Sequence, residues 1–193
     1  MRSVLFVFAL LAWDGDSARA ASEQGDGKAL AAPLQFLHEF NQQNLIEAAR
    51  RMPPEKFDYR PAPAPVRSFG EILAHVADAN YLFCSAAAGT PDPMHKDLKL
   101  PVEAVPQDAL ERRLRAKPEI VEALEASFEF CRGVFGDLTD AGLATPIEAT
   151  FGTRATALTL AVYHSGQHYG NVVAYMRAAG VEPPTALGVP GRR

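Results

Sequence analysis

The sequence is poor in the features that mark several classes of protein. It has only two cysteines in 193 residues, which excludes a scaffold held together by many disulfides. Its 19 Lys and Arg do not outnumber its 23 Asp and Glu, so it lacks the cationic surplus that neutralises nucleic-acid phosphates. We therefore expect no nucleic-acid partner. With 48% hydrophobic residues and a net charge of -4, the composition is that of a folded domain.

The first twenty residues have the pattern of an export signal. Arg2 precedes an apolar run over residues 3–13, and Ala18-Arg19-Ala20 then has the form of a cleavage site. Such a run is too short for a membrane-spanning helix, which takes about 20 residues, but it suits a secretory signal. We expect residues 1–20 to be removed, which leaves an exported chain, periplasmic or secreted, without a stable membrane anchor. A misassigned start codon and a buried N-terminal helix are the alternatives.

Four segments with helical periodicity make up most of the remaining chain. In each of them, apolar residues recur every three or four positions, as on the buried face of a helix. The segments begin near Pro33, Ser68, Gln107 and Ala155. Ser68 and Glu71 have the spacing of a capping box, and Pro118 is expected to kink or divide the third segment.

Proline-rich connections separate these segments. Met52-Pro53-Pro54 follows the first segment, and four prolines lie between residues 91 and 107. Four helices with apolar faces and long connections predict an all-α fold, a four-helix bundle. We expect a flexible lead-in over residues 21–32, a bundle domain over residues 33–185 and a mobile tail over residues 186–193.

The histidines carry the main chemical signal. His164 and His168 are four positions apart in the fourth segment, so both rings leave one face of a helix about one turn apart. Helices present two ligands to one transition metal with this spacing, although Ser165 stands where a metalloprotease helix carries its catalytic Glu. His75 lies in an apolar stretch of the second segment and would add a third ligand from a facing helix. We expect His38 to be a hydrogen-bonded or exposed histidine outside this site.

Three stretches of the sequence carry a family resemblance. They are the second-helix stretch at 68–80, the final-helix stretch from His164 to Pro184 and the linker Phe57-Asp58-Tyr59-Arg60-Pro61. Together they resemble the DinB-like (DinB/YfiT) metal-binding four-helix-bundle family over about residues 33–185. The resemblance implies a divalent metal ion, zinc or nickel, whose ligands here would be His75, His164 and His168. Three protein ligands leave a coordination position for water or substrate.

The resemblance also implies a function built on that metal. Some members of the family are thiol-dependent transferases, so one hypothesis is a transferase or hydrolase that activates a thiol or a water molecule for an unidentified small-molecule substrate. Because such thiols are chiefly cytosolic, export would favour water. The alternative is a non-catalytic metal-binding or stress-associated protein. A homodimer is part of the same expectation.

Residues around the expected ligands leave further alternatives open. Asp78, three positions after His75, would either orient a ligand imidazole or be a carboxylate on the helix surface. A substrate pocket over the metal would favour an enzyme, whereas a closed fourth coordination position would favour a non-catalytic protein. Residues that would line such a pocket include Tyr81, Phe83 and Phe151.

The two cysteines lie in different helical segments among apolar neighbours. We expect Cys84 and Cys131 to be small buried thiols, since buried cysteines behave as small hydrophobic residues. A disulfide between them is the alternative in an oxidising compartment.

Overall fold

A computed structural model describes residues 27–62, 65–94, 108–147 and 151–184. The expected signal segment at 1–20, residues 21–26 of the lead-in and the tail at 186–193 lie outside these residues. Within the described residues the regular structure is helical, and extended backbone is paired only in an isolated bridge between Pro146 and Thr153. No described helix has both the length and the apolar character needed to span a membrane.

Four long helices form the bundle, and two short helices lie in its connections. The helices of the described residues are α1 (Ala31–Arg51), α2 (Phe69–Ala88), α3 (Ala109–Arg113), α4 (Lys117–Gly136), α5 (Asp140–Leu143) and α6 (Arg154–Ala178). A 3-10 turn at Pro54–Lys56 follows α1. Helices α1 and α2 each pack against both α4 and α6, while α3 packs on α2. The predicted all-α four-helix bundle is confirmed.

Side-chain caps define where the long helices begin. At α2, the Ser68 hydroxyl accepts from the backbone N–H of Glu71, and the Glu71 carboxylate accepts from the N–H of Ser68, which confirms the predicted capping box. Helix α1 begins at Ala31, ahead of the bundle boundary expected at residue 33. The reason is a cap from a distant residue, since Oδ1 of Asp140 accepts from the N–H groups of both Leu30 and Ala31 at 2.9 Å.

The third predicted segment is divided at its proline. Pro118 is the second residue of α4, where the missing N–H removes no helical hydrogen bond. The residues before it form the separate helix α3. The predicted division is therefore confirmed. At the other end of the bundle, α6 gives way to Gly180, whose φ of 72° suits a glycine after a helix end.

Helix α2 is buried along almost its whole length. All of its residues except Glu71 and Ala88 are buried, more than the single buried face predicted from the sequence, because most of its side chains are apolar or small. Its Leu73 packs in one cluster with Phe128 of α4 and Met176 of α6, and all three side chains are fully buried. Burying a side chain of this size contributes about 1.5–3 kcal/mol. This packing fixes the position of α2 between its neighbours, and α2 carries His75.

A disulfide joins α2 to α4. Cys84 and Cys131 are both fully buried, and their Cα atoms lie 5.4 Å apart, within the range that a disulfide spans. The expectation of two free buried thiols is therefore wrong. The apolar surroundings were predicted, but the pairing depends on the register between two helices, which the periodicity of either helix alone does not fix.

Candidate metal centre

Three histidines from two helices converge in the bundle. His75 lies in α2, and His164 and His168 lie one turn apart in α6. One ring nitrogen from each lies within 4.8 Å of the others. The ring centroids are 4.9 Å apart for His75 and His164, 5.0 Å for His75 and His168, and 4.4 Å for His164 and His168. The structure thus brings together all three histidines selected from the sequence.

The donor set fits a divalent transition metal. Nε2 of His75 and Nε2 of His164 face each other at 3.1 Å. Two imidazoles bound to one tetrahedral zinc at 2.0–2.1 Å would have their nitrogens about 3.3 Å apart. The observed separation is therefore close to that of two ligands of one ion. Three imidazoles without a carboxylate suit zinc and nickel better than magnesium or calcium, which prefer oxygen ligands.

Burial and neighbouring charges keep the α6 histidines neutral. Burial lowers the pKa of His164 to about 3, with further contributions from His168, His75 and Arg67. Burial likewise lowers the pKa of His168 to about 4, assisted by His75 and Arg67. Neutral imidazole is the form that binds a metal. Both rings are therefore in the ligand-competent state at neutral pH.

The second nitrogens of the α6 rings have different surroundings. Nδ1 of His168 lies 3.4 Å from the side-chain amide of Asn171, three positions further along the same face of α6. Nδ1 of His164 is buried and has no hydrogen-bond partner among the described residues. The ring of His164 is bounded instead by Phe83, at 5.9 Å between ring centroids. Asn171 was missed in the sequence, although its i, i+3 spacing from His168 was a usable signal.

A buried chain of polar side chains ties α6 to α2 and α4 beside the histidines. The Ser165 hydroxyl donates to Oδ1 of Asn80 at 3.2 Å, and Nδ2 of Asn80 donates to Ser127 Oγ at 3.1 Å. All three side chains are at most 2% exposed. Asn41 of α1 adds a third hydrogen bond, donating to the carbonyl of Val162 at 2.9 Å. Sequence analysis missed this chain because each member looks like an isolated polar residue in an apolar helix.

Asp78 anchors the short helix α3. Its side chain is 1% exposed, so the interpretation as a surface carboxylate is wrong. Both carboxylate oxygens accept from the backbone N–H of Leu110, at 2.9 and 3.2 Å, near the start of α3. A buried carboxylate is stabilised by such bonds to unpaired helix N–H groups. A role for Asp78 in orienting a ligand imidazole stays a prediction.

Two of the three aromatic residues expected over the metal lie on its side of the bundle. The ring of Phe83 is 5.9 Å from that of His164 and 5.6 Å from that of Phe151. Tyr81 instead packs against Phe130, with ring centroids 5.5 Å apart. Phe83 therefore forms an apolar wall beside His164, and Phe151 extends this wall through its contact with Phe83.

His38 is not part of the cluster. It is 4% exposed and stacks on Phe135, with ring centroids 4.3 Å apart. Burial lowers its pKa to about 4, although a hydrogen bond to the backbone of Phe128 opposes this shift. Its Nε2 is buried without a partner among the described residues. His38 is thus a neutral core residue, only partly hydrogen-bonded.

Comparisons with known proteins give one matching family and several solved structures of similar fold. The family description that matches residues 37–172 is the DinB superfamily. A DinB-like protein from Bacillus subtilis is 20% identical, with a TM-score of 0.60, over 80% of this chain and 97% of that one. A DinB-like protein from Bacillus cereus is 16% identical, with a TM-score of 0.55, over 76% and 91%. A conserved protein from Enterococcus faecalis is 19% identical, with a TM-score of 0.60, over 77% and 95%. No curated protein sequence matches the chain.

Proposed function

The chain belongs to the DinB superfamily, and from this premise we propose that it binds one divalent metal ion, zinc or nickel, through His75, His164 and His168. The observation that carries the proposal is the convergence of three ring nitrogens within 4.8 Å of one another. The low pKa values of His164 and His168 support it, because these rings need not lose a proton to bind.

We propose further that the metal serves a hydrolase or transferase reaction. Three protein ligands leave a position for a fourth, and an ion held in this way activates a water molecule or a thiol as a nucleophile. The chain contributes the three neutral imidazoles and the wall of Phe83 and Phe151, which excludes water from one side and suits an apolar part of the substrate.

A second part of the proposal is that the chain is exported, which affects whether water or a thiol is the nucleophile. The Cys84–Cys131 disulfide supports export, because disulfides persist in oxidising compartments and are rare in the cytosol. Low-molecular-weight thiols are scarce there, so water is the favoured nucleophile. The test is the N-terminus of the protein recovered from the periplasm or the medium, which is expected to begin at Ala21. A chain that is retained in the cytoplasm with residues 1–20 intact would contradict export.

A non-catalytic metal-binding protein is the second candidate. In its favour, the described group that could hold a metal consists of histidines alone. The carboxylate of Asp78, three positions after His75, is already engaged, since both of its oxygens accept from the backbone N–H of Leu110. A homodimer stays a prediction for both candidates, to be tested by sedimentation equilibrium.

Metal analysis of protein purified without a histidine tag tests the shared proposal. We expect a near-stoichiometric divalent metal in the wild type and its loss in His75→Ala and in His164→Ala. His95→Ala is the matched control, because His95 lies in the proline-rich sequence between residues 91 and 107, outside the proposed ligand set, and its removal should leave the metal content unchanged. Near-stoichiometric metal in His164→Ala would remove that residue from the ligand set.

Spectroscopy of the cobalt-loaded protein distinguishes the two candidates. If the fourth position is open, a small thiol such as 2-mercaptoethanol should coordinate and add a thiolate charge-transfer band. The same titration of His75→Ala is the control. An unchanged spectrum at saturating thiol would mean a closed site and would favour the non-catalytic candidate.

A further inference from the structure

A cleft lies at the end of α2 that is opposite its capping box. It has a volume of about 860 Å³ and is bounded by the last turns of α2 and α4 and by the residues that lead into α6. None of the three clustered histidines lines it. A cleft of this size is within the range of small-molecule sites. Its apolar lining includes Ala86, Ala87, Phe130, Val134 and Ile147.

Two residues that line this cleft each carry a buried polar atom with no hydrogen-bond partner among the described residues. Ser85 is 3% exposed, and its hydroxyl makes no hydrogen bond among the described residues. Nε of Arg154 is also buried without a hydrogen-bond partner, and the guanidinium makes no ion pair within the described part of the chain. Leaving a buried donor without a hydrogen bond is destabilising. A ligand bound in the cleft would give these two groups the hydrogen-bond partners that they lack.

The side chains that line the cleft indicate which kind of ligand it would bind. The guanidinium of Arg154 offers donors in the planar arrangement that matches a carboxylate, and the Ser85 hydroxyl can add a further hydrogen bond. Asp137 also lines the cleft, so its carboxylate balances the charge of Arg154 and disfavours dianions such as phosphate. The remaining walls are apolar and suit a hydrocarbon body.

We propose that this cleft binds a small monocarboxylic acid with an apolar body, such as an aromatic or branched aliphatic acid. The carboxylate contacts Arg154 and Ser85, and the body packs against Phe130 and Ile147. The site is separate from the metal centre, because Ser85 follows His75 by ten positions in α2, which is about 15 Å along the helix. It stands whether or not the metal proposal holds.

Titration of the isotope-labelled full chain with benzoate, followed by amide NMR shifts, tests this site. We expect saturable shifts around Ser85 and Arg154, and binding that is weakened at least about tenfold in Arg154→Gln, which removes the charge but keeps most of the side-chain volume. Arg177→Gln, at the far end of the same helix, is the matched control and should bind as the wild type does. Acetate, which lacks the apolar body, should bind much more weakly, and phosphate should cause no saturable shifts.

Further variants keep the test independent of folding and of the metal centre. Ser85→Ala should weaken benzoate binding a few-fold with an unchanged circular dichroism spectrum, which serves if Arg154→Gln does not fold. His75→Ala should retain benzoate binding, because the cleft does not depend on the metal. A benzoate that coordinated a metal ion at the histidine cluster would instead be lost in this variant. Equal benzoate affinity in wild type, Arg154→Gln and Ser85→Ala, or loss of binding in His75→Ala, would overturn the proposal.

Discussion

Removing the Cys84–Cys131 disulfide should lower the free energy of unfolding by about 4 kcal/mol. The two cysteines are 47 positions apart, and opening a loop of that length returns about 14 cal/mol/K of chain entropy to the unfolded state. At 25 °C this corresponds to about 4 kcal/mol, a large part of the 5–15 kcal/mol that typically stabilises a domain. We therefore expect the variant Cys84→Ala/Cys131→Ala to fold, but with a much smaller margin of stability.

Packing adds to the loss in this variant. Both cysteines are fully buried, so their replacement by alanine removes two sulfur atoms from the core and leaves small cavities. The reduced wild-type protein keeps both sulfur atoms and loses only the covalent bond. Comparing oxidised wild type, reduced wild type and the double variant therefore separates the effect of the crosslink from the effect of packing.

Urea unfolding followed by circular dichroism measures these differences. We expect the oxidised wild type to be the most stable, the reduced wild type to lie about 4 kcal/mol below it and the double variant to lie lower still. The melting temperature should fall by about 2–4 °C for each kcal/mol lost. Two free thiols in unfolded, unreduced protein would show that the bond does not form. Equal stability of oxidised and reduced wild type would refute the reasoning from loop length.

Two further predictions concern buried polar residues. The neutral His38 should make stability depend on pH, because its pKa is about 4 in the folded protein and near 6.5 in the unfolded chain. Stability is therefore lost as the pH falls through this window, and the loss should reach about 2–3 kcal/mol at pH 4.5. Urea unfolding of metal-free protein at pH 7 and 4.5 should show a smaller loss in His38→Phe, and an equal loss would contradict this assignment. Asn80→Ala removes the hydrogen-bond acceptor of Ser165, the residue next to His164, and should weaken metal binding about tenfold. The same variant should lower stability by about 1–3 kcal/mol, because it leaves a buried hydroxyl without its partner. Ser127→Ala is the control, expected to lower stability while leaving metal affinity unchanged, and equal metal affinity in both variants would show that the Asn80 contact is purely structural.

Features set by local sequence were predictable. The capping box of Ser68 and Glu71 and the division of a helix at Pro118 depend on residues a few positions apart. The pairing of His164 with His168 follows from helical spacing in the same way. These interactions need no knowledge of how the helices pack, so they can be derived from one sequence.

Features set by the register between helices were not predictable in this way. Cys84 and Cys131 lie in apolar stretches that are equally consistent with free thiols, and only the relative position of α2 and α4 brings them together. The spacing of Asp78 from His75 left open whether it faces the histidines or the surface, and it is buried because α3 packs over it. The helical pattern made His75 a possible third ligand from a facing helix, and the family resemblance then supplied the register that periodicity lacks.

The same register would order the three histidines before a metal ion binds. His75 is held by a helix that is buried on nearly all sides, and that helix is fixed to α4 by a disulfide. The bond between Asn80 and Ser165 then fixes α6 relative to α2 at the level of the histidines. In a small zinc domain, much of the binding free energy is consumed by folding. If a metal ion binds here, the core and the crosslink would already order the three histidines, so most of the binding free energy would be available as affinity for the ion and for a fourth ligand.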